Sequence, residues 1–499
     1  MIDIINHLGY GLQIALIPIN ILYAFIGCLV GTLIGVLPGI GPAGGMALLI
    51  PLTYGKDPAS AIILLAGIYY GAMYGGSTTS ILLNVPGEAA SVVTALDGYQ
   101  MARKGRAGAA LSIAAIGSFI AGTIGVALLM LLGPPLASVA LRFGPAETFA
   151  LMVFGLSTVT SLAGKSLRKG FVSTVLGLML ATVGSDLPTG ILRFNFGISK
   201  LMEGVDIIVV AIGLFAVSEI LSSAEEMRAG EFVVEKVTRI WLSLKEFLQS
   251  IGAVLRGSFL GFFIGVLPGA AHVTASFLSY TLEKRLSKEP ESFGQGNIRG
   301  VAAPESANNA AACGALIPLL TMGLPASAVT AVLYGALLMT GVRPSPFLFQ
   351  KHPDVVWGLI ASMYIGNVML LILNLPLVAL WVKILKTPPR WLFPIVLAVS
   401  FVGVYSVNRA SLDLLMATIL GVLGYFMRRL DYPLAPVILG LVLGELLEQA
   451  LRQTLMISGG SLEIFWKSPI AITLFVLALV VMVLPKVLYR SKVKLEFES

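Results

Sequence analysis

The residues most able to do chemistry cluster in two stretches where polar and glycine-rich sequence interrupts apolar sequence. The first is Tyr70-Gly-Ala-Met-Tyr-Gly-Gly-Ser-Thr-Thr-Ser-Ile-Leu-Leu-Asn-Val-Pro-Gly87; the second is Ala303-Pro-Glu-Ser-Ala-Asn-Asn-Ala310, followed by Gly323-Leu-Pro325 and Ser327. Proline removes a backbone donor and glycine loosens a helix, so Pro86 with Gly87, and Gly323 with Pro325, are expected to break helices at membrane depth. A half-helix restarting after such a break presents free N–H groups and a positive dipole end, which suit a carboxylate. Ser77, Thr78, Thr79, Asn84, Asn308, Asn309 and Ser327 would add hydroxyl and amide contacts. Gly39-Ile-Gly-Pro42, with Gly39 and Gly41, and Gly269-Ala-Ala-His272 offer a second pair of helix openings or hinges. The plain alternative is that small residues here serve close helix packing.

Ionisable groups are sparse, and each is costly in lipid. Glu305 is the leading candidate for a cation site or proton relay. Asp97 and Glu88 rank behind it, because both are expected near the aqueous edge. Only His7, His272 and His352 could serve as catalytic bases, none in a nucleophile–base pattern, and no phosphate-binding Gly-rich-Lys loop occurs. An intramembrane hydrolase is therefore disfavoured. A passive anion channel would usually carry a charged ring or a carbonyl filter.

Composition says what must position these residues. Of 499 residues, 57% are hydrophobic and only 12% charged, against roughly 25% charged in a soluble domain. Apolar runs such as Ala107–Leu132 recur along the chain, long enough to cross hydrocarbon and too continuous for barrel strands. The expectation is an all-α polytopic membrane protein with about 10–12 membrane segments, broken helices and re-entrant hairpins. Met1–Gly9 lacks a basic n-region and a cleavage site, so the first apolar segment is expected to be retained. Cys28 and Cys313 stand alone in apolar sequence, with no metal-site spacing. The net charge of +7 is scattered over short loops, which argues for membrane orientation and against nucleic acid.

An internal repeat organises the chain. Gly31-Thr-Leu-Ile-Gly-Val-Leu-Pro-Gly39 is echoed by Gly261-Phe-Phe-Ile-Gly-Val-Leu-Pro-Gly269, and Ile81–Gly98 aligns with Pro318–Gly335. Taking Arg103-Lys-Gly-Arg106 as cytoplasmic, simple alternation puts about twice as many Lys and Arg on that side as on the other. The segment after Ala107–Leu132 and the one near Lys383 then face opposite ways, so the repeats read as inverted. Glu283–Arg299 resists the scheme, because symmetry would set it opposite while Lys284, Arg285, Lys288 and Arg299 argue for the cytoplasm. The expected domains are 1–221, a first membrane repeat; 222–250, an interfacial linker helix with Trp241, Leu244, Phe247 and Leu248 on one face; and 251–499, a second repeat.

Together these motifs resemble the large membrane subunit of the tripartite tricarboxylate transporters, the TctA family. The resemblance rests on Gly35-Val-Leu-Pro-Gly-Ile-Gly-Pro42, Tyr74–Glu88, Asp97-Gly-Tyr-Gln-Met-Ala-Arg-Lys-Gly105, Ala302–Ala310 and Leu451-Arg-Gln-Thr-Leu-Met-Ile-Ser-Gly-Gly460. It implies a secondary transporter of the bacterial inner membrane, driven by Na⁺ or H⁺ and carrying citrate-like or related organic acid anions. It also implies a small membrane subunit and a periplasmic solute-binding protein as partners, and no bound cofactor or metal beyond a co-transported Na⁺. Gly269-Ala-Ala-His272 departs from the Gly-x-Gly-Pro of the first half, which argues against identical roles for the two openings.

Overall fold

The computed structural model describes residues 2–37, 41–162, 166–186, 189–226, 242–267, 271–384, 394, 397–398, 400–402, 404–405 and 408–497. Its described residues are almost entirely helical, as lipid requires of a chain this apolar. Six stretches are long and apolar enough to cross a membrane, and Gly41–Thr53, Ile207–Ser222, Ala328–Met339 and Pro469–Val483 are shorter apolar helices. The exception to all-α is a ribbon of two residues a side, β1 (Gly184–Ser185) against β2 (Leu192–Arg193).

Two helix pairs make the centre. In the first half, α1 (Ile2–Ala15) precedes α2 (Pro18–Val36), α3 (Gly41–Leu49) and α4 (Pro58–Leu83). Gly27, Gly31 and Gly35 of α2 face Gly67, Ile68 and Gly75 of α4 in the same order, so the two helices run parallel with backbones in contact. A Cβ at any of these glycines would collide with backbone, which is why small residues recur at every fourth position. Parallel neighbours require the chain to return between them, and α3 with the turn Ile50–Thr53 does so. Lys56 then meets the Tyr23 hydroxyl at 2.7 Å, back at the start of α2.

The chain continues through α5 (Val92–Met101), α6 (Ala107–Ala140), α7 (Pro145–Leu162), α8 (Leu167–Ala181), the ribbon, α9 (Ile207–Ala211) and α10 (Ser218–Glu226). The second half opens with α11 (Leu244–Gly265), α12 (Ala271–Leu286) and α13 (Arg299–Met322). Here Gly257, Gly261 and Gly265 of α11 lie on Ala303, Ala307 and Ala311 of α13, again in the same order. Between the two pairs the order reverses: Ser77 meets Glu305 while Tyr70 meets Cys313, so α4 and α13 run antiparallel.

After α13 come α14 (Ala328–Met339), α15 (Leu348–Lys351), α16 (Pro353–Asn374), α17 (Val378–Ile384), α18 (Ser411–Arg429), α19 (Ala435–Ile457), α20 (Glu463–Lys467) and α21 (Pro469–Phe497). Each half sends one helix across to the other. Gly117 and Gly125 of α6 pack on α13, while Asn367 of α16 accepts the Tyr74 hydroxyl of α4 at 2.6 Å. Walled in this way, α4 is buried from Ala59 to Leu82. Outside this core, Gly177 of α8 packs on Gly440 of α19, and Gly213 and Gly421 join the α9–α10 helix to α18.

Two expectations meet detail here. The linker 222–250 is not one element: 222–226 end α10, 227–241 lie outside the described residues, and Leu244–Ser250 are the first turns of α11, started by a Ser243/Glu246 capping box. A helix already long enough to span simply begins earlier than the polar composition suggested. The segment Glu283–Arg299 sits on the same face as Arg103–Arg106, since Lys104 Nζ donates to the Gln295 carbonyl at 2.5 Å. That face is called the basic face below.

Candidate functional site

Both breaks form where the sequence motifs stand, and by the same local means. α4 stops at Asn84, whose φ of 57° is left-handed, and Pro86 prevents continuation. Glu88 then caps the turn Ala89–Ser91 that leads into α5, its side chain accepting from the Ser91 amide while the Ser91 hydroxyl takes the Glu88 amide at 3.3 Å. In the second half α13 ends at Gly323, φ 70°, whose amide bonds the Leu319 carbonyl at 3.0 Å. Ser327 caps α14, accepting the Thr330 amide at 3.3 Å, and its own amide donates to Thr330 Oγ1 at 2.8 Å.

The first break closes on α13. Glu305 is fully buried, and the hydroxyls of Ser77 and Thr94 donate to its two oxygens. One turn further, Asn308 donates through Nδ2 to Glu88, while its Oδ1 is buried with no hydrogen-bond partner among the described residues. Glu88 and Glu305 thus meet at one stretch of α13, Glu88 through Asn308. Among the described residues neither carboxylate has a Lys, Arg or His partner. The second break is different in kind: the Tyr69 hydroxyl lies between His272 Nε2, at 2.7 Å, and Ser327, with no acid capping α14.

The remaining sequence candidates separate. Thr79 donates to the Val36 carbonyl at 3.0 Å and ties α4 to the end of α2. Thr78 lines a cavity of about 10 Å³ with Tyr74, Ser118 and Asn374, room for roughly one water. Asn309 donates through Nδ2 to Ser118 Oγ of α6 at 2.7 Å and to the Glu305 backbone carbonyl at 3.0 Å. Gly87 is buried against Gly35 and Gly76, whereas Asn84 and Pro86 are exposed. Gly41 starts α3 with φ 64°, Pro325 is buried in the second break, and Gly39 lies outside the described residues.

Asp97 is fully buried, beneath the loop Gly294–Asn297 on the basic face. Its oxygens accept the amides of Gly294, Gly296 and Asn297 at 2.7–3.0 Å and the Tyr280 hydroxyl at 2.9 Å. It clamps α5 to the loop before α13. Thr94 and Tyr69 carry no signal in the sequence, since both sit inside apolar runs, and His272 stands out there only as part of the second helix opening. Glu88 was visible as the acid directly after Pro-Gly, but not as the cap of the restarting helix.

The fold is that of a multi-pass membrane protein whose two broken helices meet at buried polar groups. The chain belongs to the tripartite tricarboxylate transporter TctA family, whose model matches residues 21–439. It is 50% identical over 495 residues to an "Uncharacterized 52.8 kDa protein in TAR-I ttuC' 3'region" of Agrobacterium vitis, covering 99% of this chain and 98% of that one. A second Agrobacterium vitis relative, "Uncharacterized protein in TAR-II ttuC' 3'region", is 50% identical over 224 residues, 45% of this chain and 93% of that one. No solved structure matches the chain. The family is that of the large membrane subunit in a tripartite system with a small membrane subunit and a periplasmic binding protein.

Proposed function

We propose that this chain imports a tricarboxylate or related organic acid anion across the bacterial inner membrane, as a secondary transporter coupled to a Na⁺ or H⁺ gradient. The observation that carries the reading is Glu305, fully buried between the two halves with hydroxyl donors and no basic partner among the described residues. A carboxylate buried this fully without a basic partner is strongly disfavoured unless a cation or proton accompanies it, which is the requirement of a coupling site.

The anion is held at the second break. α14 restarts there with a neutral Ser327 cap that takes the Thr330 amide, so its dipole end is not offset by an acid and suits a carboxylate, and Tyr69 and His272 supply further polar contacts. At the first break Glu88 already occupies the corresponding position at the entry to α5, which leaves that end to cations. Gly41, Gly323 and Pro325 act as hinges, and Ser77, Asn308 and Gly87 link the anion end to the cation end.

Parallel pairs related by reversed direction support two inverted repeats, and alternating access follows as rocking of the broken-helix core against the peripheral helices. The basic face is then cytoplasmic. The small membrane subunit and a periplasmic solute-binding protein complete the system, and substrate choice rests largely with the latter. The test is uptake of labelled citrate and smaller carboxylates into proteoliposomes holding all three components, with Na⁺ and pH gradients imposed separately. Gradient-driven accumulation is the expected result; equilibration without accumulation overturns the reading.

A further inference from the structure

The group around Glu305 is more specific than a buried acid. It brings together oxygen atoms from four segments: Ser77 on α4, Glu88 at the break, Thr94 on α5, and Glu305 with Asn308 on α13. All are at least nine-tenths buried, Glu88 being the most exposed at 7%. Oxygen-only sets of carboxylates, hydroxyls and an amide carbonyl are what hard cations select.

The independent observation is Asn308. Its Nδ2 is committed to Glu88, and its Oδ1, one helical turn beyond Glu305, is buried with no donor among the described residues. A buried acceptor left unmatched costs on the order of 1–3 kcal/mol, and a cation beside it removes that cost. Asn309, its neighbour in sequence, also has a buried Oδ1 without a partner among the described residues, but its Nδ2 goes to Ser118 of α6 and the Glu305 carbonyl and not to a carboxylate.

Charge selects the valence. Glu88 is compensated in part by the helix start it caps and by the Asn308 amide. Glu305 has only neutral hydroxyls. Glu305 is therefore the less compensated of the two carboxylates, and one positive charge beside it offsets that deficit. The Ser77 and Thr94 hydroxyls donate to Glu305 and keep lone pairs for a metal ion, an arrangement a proton alone would not need.

From this we infer that Glu305, Glu88, Ser77, Thr94 and Asn308 form a binding site for a dehydrated Na⁺ ion. The inference rests on the coupled-transport reading and names its ion. Because three of these residues belong to the broken-helix segment 77–94 and two to α13, the ion cross-links the halves and pins the first break in one conformation. Glu88 is then both the cap that excludes a carboxylate substrate from the first break and an ion ligand.

The experiment is equilibrium binding of ²²Na⁺ to the purified full chain in detergent, without substrate or partner subunits, with K⁺ and choline as competitors. Saturable binding that K⁺ and choline do not displace is expected. Asn308→Ala and Glu88→Gln should each weaken it roughly tenfold or more, and Glu305→Gln should abolish it. Thr418→Val, on lipid-exposed α18, should leave it unchanged, and monodisperse elution of each variant separates ligand loss from misfolding. Absence of saturable Na⁺ binding in the folded wild-type chain, or binding unaffected by Asn308→Ala, overturns the site. Since no transport is measured, failure here is distinct from failure of the transport reading: accumulation driven by pH alone would sink the Na⁺ site and leave that reading standing.

Discussion

The two halves share a scaffold and differ in chemistry, and the difference falls at the breaks. Each half packs two parallel helices through a small residue every fourth position, and each interrupts the second helix with a left-handed residue and restarts it with a capping box. The first restart is capped by a glutamate and faces Glu305; the second is capped by a serine and faces Tyr69 and His272. The asymmetry extends outward. Asp97 is sealed by backbone amides on the basic face, whereas Tyr334, which aligns with it, lines a cavity of about 400 Å³ towards the opposite face. On the function proposed above, two halves with like packing differ where an ion and an anion must be told apart.

The largest expected effect tests what the halves share. Gly261→Leu would drive a side chain into the Ala307 backbone and Gly31→Leu into that of Ile68. Neither backbone can yield without separating a helix pair, so both variants should lose about 3 kcal/mol or more and much of their folded yield. Size-exclusion profiles of detergent extracts measure this. A well-folded Gly261→Leu protein would mean that the second pair tolerates separation as the first does not.

Next comes what they do not share. Glu305→Gln should reduce gradient-driven uptake on the order of 100-fold and remove any effect of Na⁺ on carboxylate binding, while binding measured without Na⁺ stays largely intact. Ser327→Ala should do the reverse, weakening apparent carboxylate affinity roughly fivefold through the lost cap and leaving the ion dependence unchanged. Measuring both readouts in both variants checks the division of labour. Equal loss of both in each would erase the distinction between the breaks.

Much of this was legible in the sequence, and the reason it was only part is physical. Hydrophobic run length and the absence of barrel alternation announce helices, and Gly31-x-x-x-Gly35 with Gly261-x-x-x-Gly265 announces close packing. Pro86-Gly87 and Gly323-Leu-Pro325 announce the breaks through local backbone chemistry. Partnership across the chain is another matter: Ser77 and Glu305 are 228 residues apart, and nothing local tells Asn308 to face Glu88 and Asn309 to face α6. Asp97 was visible as an ionisable residue, but its partners are the backbone amides of a loop 197–200 residues away, and backbone donors leave no signature in a sequence.

A smaller effect is expected at that clamp. Asp97→Asn keeps the shape but replaces charge-assisted hydrogen bonds with neutral ones, a loss of about 2 kcal/mol. The loop Gly294–Asn297 should loosen on the basic face alone, read as faster thiol labelling of a cysteine placed at Gln295. Equal labelling in the presence and absence of the substitution would show that the seal there depends on packing and not on Asp97.

The smallest effect lies on the rim of the 400 Å³ cavity, where the ribbon is fastened to α19 by Asp186, Arg193, Glu448 and Arg452. The Thr189 hydroxyl first, then Arg452 and Arg193, hold the Asp186 carboxyl below the usual carboxylate range. A carboxyl whose folded value is depressed contributes fully above its unfolded value, about 3.9, and loses that contribution as pH falls through the lower folded value. The fastening should therefore be constant at neutral and mildly acidic pH and weaken only below about pH 4. Because the pairs are partly exposed, the change should be modest and reduced by salt. An electron-spin distance between labels at Gly190 and Gln449 reads it directly. Arg452→Gln should move the onset to higher pH, since it removes one of the two arginines that keep Asp186 ionised; an onset near neutrality in the unmodified chain would show that a group other than Asp186 controls the ribbon.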